Sequence, residues 1–190
     1  YEVRGWRGFR RVLVRSERCV GIAETYWQKR NELSFDMRTG GLKAALDWLP
    51  NEFSILADSG DNPTAGGVGD RADVLEALIK DEIEGVLVAG IAAPGIINEL
   101  QCTNKAAFTV GGKLGGGGPG LTLNAENICF KNECAVVKLH GITTVLTERR
   151  RPFHNLSDFA DLGIDLKDYR LLVVKSGYLS PELQIGRAHV

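Results

Sequence analysis

The 190-residue chain lacks an excess of charge of either sign: 23 Lys and Arg stand against 24 Asp and Glu, a net charge of −1. Without a basic surplus there is no electrostatic footprint for nucleic acid or for an anionic membrane. No apolar run approaches the roughly 18 residues that a bilayer-spanning helix requires. Paired cysteines are also missing. Cys19, Cys102, Cys129 and Cys134 are scattered, none forms a C-x-x-C pair, and no histidine stands at ligand spacing from Cys129 or Cys134. Buried free thiols in a reducing, cytoplasmic setting are the expectation, and a zinc site built from these residues is not. Absent too are H-E-x-x-H, G-x-S-x-G and a Ser-His-Asp order.

Both ends have odd composition. Residues 1–18 carry Arg4, Arg7, Arg10, Arg11, Arg15 and Arg18 but no lysine, which reads as a frame-shifted gene edge rather than a basic arm. Residue 1 is Tyr1, so a signal peptide is neither seen nor excluded. Residues 185–190 spell a string that one frame of a sequencing adapter encodes, so they read as an artefact. His189 is dropped from the candidate ligands on that ground.

What is there is an α/β pattern. Val20, Ala23, Tyr26, Trp27 and Leu33 recur at helical spacing behind Ser16, a candidate N-cap, and Trp27 and Trp48 read as core. A short helix over 42–49 is stopped by Pro50. Residues 53–57 and 86–90 are continuous apolar strands, with helices over 70–80 and 93–104 after them. Such runs predict a mostly parallel sheet covered by helices. Short strands over 106–110, 121–125, 128–131, 134–139 and 142–147, broken by glycine and by Asn132 and Glu133, predict an antiparallel β insertion. A helix over 156–162 capped by Asn155 and a last buried strand over 171–175 complete the pattern.

The segment from Asp58 to Asp70 is the densest in functional groups. It leaves the carboxyl end of a strand, where open α/β sheets place their ligands. Asp58, Asp61 and Asn62 supply two carboxylates and an amide, Pro63 pushes Asn62 towards an extended backbone, and Gly66, Gly67 and Gly69 permit close approach or positive φ. A phosphate cradle is excluded: there is no G-K-[ST], no G-x-G-x-x-G, and Asp70 stands where an anion would bind. Asp70 is expected to cap the following helix, while Asp61 and Asn62 are candidates for proton transfer or substrate orientation. Lys175, Ser176 and Tyr178 leave a second strand end at the same edge. His154, behind Arg149, Arg150 and Arg151, is expected at a surface or cleft edge. His140 reads as a satisfied structural histidine. The glycine-rich run 111–120, with no hydroxyl after Lys113, reads as a hairpin or substrate-facing flap.

Several separated motifs occur in one order: 57–67 with Asp70, 149–154, 162–165, 168–170 and 173–183. Together they resemble the C-terminal region of MlrC-type proteins, the microcystinase C-like metallopeptidases of microcystin degradation, over roughly residues 24–183. The resemblance implies that residues 1–50 are the tail of an upstream, metal-binding N-terminal domain and that 51–184 form the C-terminal domain. It further implies a zinc-dependent hydrolase of amide bonds in small or linear peptides, with zinc bound by the N-terminal domain and this domain closing the cleft. Asp61 and Asn62 then serve as catalytic residues, and Asp58, His154, Lys175, Ser176 and Tyr178 as substrate-binding residues. The rival reading is a substrate-binding or interaction module without hydrolytic activity. Substrate identity and oligomeric state are not legible, since fold and family do not fix them.

Overall fold

The computed structural model describes residues 3–34, 37–50, 52–103, 105–115 and 118–184, with side chains from Ser16 onward. The chain divides into two compact units, residues 1–39 and 40–190. Residues 185–190, with His189, lie outside the described residues, as do the side chains of the arginine-rich segment before Ser16.

The first unit contains one long helix, α1 (Val3–Lys29). Ser16 lies inside it rather than at its start, so the expected cap is not made. Trp27 is 65% exposed and Val20, Tyr26 and Leu33 are exposed with it, so this stripe is not core. The periodicity was real, but no second helix within the unit covers that face among the described residues. The Arg30 guanidinium stacks over the Trp27 ring at 4.0 Å and donates to the Trp27 carbonyl. No helix among the described residues is long and apolar enough to cross a membrane.

The second unit is built on a six-stranded sheet. Its strands are β1 (Ser54–Ala57), β2 (Val86–Ala92), β5 (Asn127–Lys131), β6 (Cys134–Leu139), β7 (Ile142–Thr147) and β8 (Leu171–Val174). They lie in the order β1-β8-β2-β7-β6-β5. The first four run parallel, and β6 and β5 extend the sheet in antiparallel fashion. A separate antiparallel pair, β3 (Ala107–Val110) and β4 (Leu121–Asn124), flanks the 111–120 run, which is therefore a hairpin connection as expected.

Helices cover both faces. Successive β2 residues point to opposite sides, so Val86 and Val88 join one core and Leu87 and Ala89 the other. On the first face lie α3 (Asp73–Lys80) and α4 (Ile96–Thr103), through Leu75, Leu78, Ile96, Ile97 and Leu100. Leu46 and Leu49, from α2 (Leu42–Asp47) and the residues after it, pack on the same core, and Trp48 is half-buried. On the second face Phe159 of α5 (Leu156–Ala160) shares a core with Phe153 and Leu166, and Leu183 of α6 (Pro181–Gln184) joins them. Each such fully buried side chain contributes about 1.5–3 kcal/mol of transfer free energy.

Two turns explain the β half. Asn132 and Glu133 between β5 and β6, and His140 and Gly141 between β6 and β7, all have positive φ, the backbone that two-residue hairpin turns require. His140 is accordingly an exposed turn residue rather than a buried structural one. The cysteines are free, but only Cys134 is buried; Cys19, Cys102 and Cys129 are exposed, against expectation. Cys102 and Cys129 fall on outward positions of amphipathic elements, whereas Cys134 faces the second core.

Candidate functional site at the carboxyl edge

β1 and β8 are parallel neighbours with Ala57 opposite Val174, so the next residues, Asp58 and Lys175, leave the sheet side by side. The Asp58 backbone N–H donates to the Val174 carbonyl at 2.8 Å, continuing the ladder one step past the strands. From there Lys175 Nζ donates to Asp58 Oδ2 at 3.1 Å and to Asp61 Oδ2 at 2.9 Å. The Lys175 side chain is 4% exposed, and a buried ammonium ion is tolerable only because these carboxylates neutralise it.

Asp61 organises the loop. Its Oδ1 accepts the Gly69 N–H at 2.7 Å and its Oδ2 accepts the Arg71 N–H at 2.8 Å beside Lys175. Burial pushes this carboxyl up, but the Lys175 hydrogen bond and the two backbone donors outweigh it, and the pKa lies below the ordinary value. Asp61 is therefore held as a carboxylate with both oxygens engaged.

Asn62 follows with an extended backbone (φ −72°, ψ 111°), as the proline after it demands, and Pro63–Ala65 form a single 3₁₀ turn. Its Oδ1 accepts the Thr64 N–H at 2.9 Å and the Thr64 hydroxyl at 2.7 Å. Since a backbone N–H can only donate, the amide orientation is fixed, and Nδ2 faces the Gly177 backbone. A Cβ on Gly177 would stand 3.0 Å from Nδ2. Gly66 adopts φ +92°, and a Cβ on Gly67 would stand 2.7 Å from backbone atoms of Asp61 and Asn62. These glycines let the loop fold upon itself.

The remaining candidates converge on the same turn. Ser176 Oγ lies 3.2 Å from His154 Nε2 and donates to the Tyr178 carbonyl at 2.5 Å. The His154 and Tyr178 rings are 5.9 Å apart. His154 is half-buried. Its backbone is held at both ends: Asp158 Oδ2 accepts its N–H at 3.0 Å, and the Ser180 hydroxyl donates to its carbonyl. The fold thus brings Asp58, Asp61, Asn62, His154, Lys175, Ser176 and Tyr178 into one chain of contacts at the carboxyl edge.

Asp70 does not cap α3. The helix starts at Asp73 with Ala72 as N-cap, and fully buried Asp70 instead accepts the Leu114 N–H at 2.7 Å, tying the glycine-rich connection to the site loop. Its Oδ1 has no partner among the described residues. Sequence reasoning missed Arg150, whose guanidinium donates to the Gly67 carbonyl at 2.9 Å while its stem lies along Gly69. The signal was there, since the arginine run follows β7 directly. Ser180 was missed because a serine before proline reads as an ordinary turn residue.

No group of three or more His, Cys, Asp or Glu residues capable of holding a metal ion exists among the described residues. The nearest carboxylates, Asp58 and Asp61, already bracket the Lys175 ammonium, whose charge opposes a second cation. The residues present do not fit a zinc centre.

Comparison with known proteins agrees with this architecture. No curated protein matches the chain. The crystal structure of a candidate metallopeptidase from Mesorhizobium sp. BNC1 is similar in fold, with a TM-score of 0.65 at 17% identity, covering 82% of this chain and 36% of that one. The chain thus spans about a third of that protein's length. The profile of the family described as MlrC C-terminus matches residues 56–190, which is most of the chain, and the chain belongs to that family.

Proposed function

We propose that this chain supplies the substrate-orienting half of a peptidase-like amide hydrolase, its carboxyl-edge cluster lining one side of the cleft. The observation that carries this reading is the convergence of seven functional side chains from the ends of β1, β7 and β8 at the edge where open α/β sheets bind ligands. Family membership and the fold of the Mesorhizobium protein support the reaction class.

Asp61 acts here through orientation. With both oxygens engaged and its pKa lowered, it is poorly suited to accept a proton near neutrality, but it holds Lys175 and the 58–70 loop in place. Asn62 and His154 meet the substrate, a small linear peptide, and Tyr178, 59% exposed, offers an aromatic face and a hydroxyl beside them. A zinc ion held by a domain outside this chain would supply carbonyl polarisation and an activated water. Its ligands would come from that domain. The cytoplasm is the proposed compartment.

The rival, a non-hydrolytic binding module, draws on the same full engagement of Asp61. Metal content and peptide hydrolysis by a full-length protein carrying this domain separate the two. Stoichiometric metal and chelator-sensitive amide cleavage support the hydrolase; a metal-free protein that binds peptides without cleaving them supports the module.

A further inference from the structure

The six-stranded sheet ends at β5, and no strand lies beyond it among the described residues. The pairing with β6 fixes which backbone groups that edge leaves open. Asn132 and Glu133 form a two-residue turn with positive φ, so Lys131 and Cys134, which close it, are a hydrogen-bonded pair. Such pairs alternate along an antiparallel ladder, so Cys129 with Val136 and Asn127 with Lys138 are bonded as well. Ile128 and Phe130 lie between them and turn their N–H and C=O groups away from β6. No other backbone group meets those atoms among the described residues.

The devices that usually blunt an exposed edge are missing here. β5 holds no proline, its register runs without a bulge, and its one charge, Lys131, stands at the end. Ile128 and Phe130 pack against the first core and line a depression of about 220 Å³ with Leu100, Ala106 and Ala125. Cys129, on the opposite face, is exposed.

We infer that β5 pairs antiparallel with the β5 of a second copy, about a two-fold axis at Cys129. The edge is self-complementary in that register. Ile128 lies opposite the second copy's Phe130, and Phe130 opposite its Ile128, so each open N–H and C=O finds a partner. The whole of Asn127–Lys131 is paired, and no like charges meet, because Asn127 faces Lys131. Sliding the register by two residues either way shortens the ladder and leaves the open groups of one of the two apolar residues unmet. Opposed residues share a face, so Ile128 and Phe130 continue the apolar row beside the depression. The two Cys129 side chains face each other on the exposed face, about 4.5–5.5 Å apart between Cβ atoms. They remain open to thiol reagents there. A ladder of one short strand buries less than the roughly 1,200–2,000 Å² of a stable interface, so the pairing depends on concentration.

The test is sedimentation velocity of the 190-residue chain in reductant, over a micromolar to sub-millimolar series. The unmodified chain should pass from monomer to dimer. Ile128→Pro removes an N–H that faces the open edge and leaves the β5–β6 ladder intact, so it should stay monomeric. Cys129→Lys and Cys129→Asp each set like charges opposite one another at the two-fold axis, and each alone should lose the dimer. Their equimolar mixture should recover it, since Lys then faces Asp. These two changes fall on an exposed side chain, so they carry the test even if Ile128→Pro does not fold. A monomer throughout the series overturns the pairing. Association that persists in both charged variants alone also overturns it, assigning the contact to another surface such as the exposed stripe of α1. A mixture that stays monomeric overturns the register at Cys129.

Discussion

Lys175 Nζ lies 2.9 Å from Asp61 Oδ2, joining residues 114 positions apart in sequence, and 3.1 Å from Asp58 Oδ2. One buried cation thereby ties the ends of β1 and β8 to the loop that carries Asn62. Removing it strands two carboxylates, one of them nearly inaccessible.

Lys175→Met should therefore destabilise the domain by about 3–5 kcal/mol, the cost of leaving a buried charge uncompensated. Combining it with Asp61→Asn should recover part of that loss, because the stranded charge goes with it. Urea unfolding of the single and double variants measures both; equal midpoints for Lys175→Met and the unmodified chain would refute the ion-pair account.

The acid limb of stability should depend on Asp61. Its folded pKa lies below the ordinary carboxyl value, so the native state binds fewer protons than the unfolded state there. The stabilisation is complete above the unfolded pKa of about 3.9 and is lost as pH falls through the folded one. Asp61→Asn should flatten the fall in stability below about pH 4, read as the melting midpoint against pH. An unchanged acid slope would remove Asp61 from the explanation.

Glycines 66 and 67 should differ in what they tolerate. Gly67→Ala drives a methyl against backbone atoms of Asp61 and Asn62 at 2.7 Å, which cannot rotate away, and should cost about 3 kcal/mol. Gly66→Ala meets open space and suffers only its positive φ, about 1 kcal/mol. Reversal of that order in thermal unfolding would contradict the loop geometry.

The frame of the molecule was legible in the sequence because continuous apolar strands need two covered faces, and both cores are there. That Asp58 and Lys175 leave the same edge of the sheet was legible as well, since each directly follows an apolar strand. Side-chain roles were not. Nothing local distinguishes an Asp70 that caps α3 from one that reaches across to Leu114, because the partner is 44 positions away. Trp27 misled for a related reason: periodicity states which face is apolar, not whether anything covers it.

Thiol reactivity should divide the cysteines three to one. Burial pushes the Cys134 thiol up and shields it, while Cys19, Cys102 and Cys129 are exposed. A colorimetric thiol titration should count three fast groups in the native chain and a fourth only after denaturation. Four fast groups would place Cys134 outside the second core.

The central claim is that the carboxyl-edge cluster orients the substrate of an amide hydrolase. It is tested most directly by kcat/KM for a short linear peptide in a full-length protein carrying this domain, with Asn62→Ala and Asp61→Asn beside the unmodified sequence. Loss of one good hydrogen bond to the substrate, about 1.5 kcal/mol, predicts a fall of about tenfold for Asn62→Ala. A similar fall is expected for Asp61→Asn through the loosened loop. Unchanged kcat/KM in both variants would contradict the account.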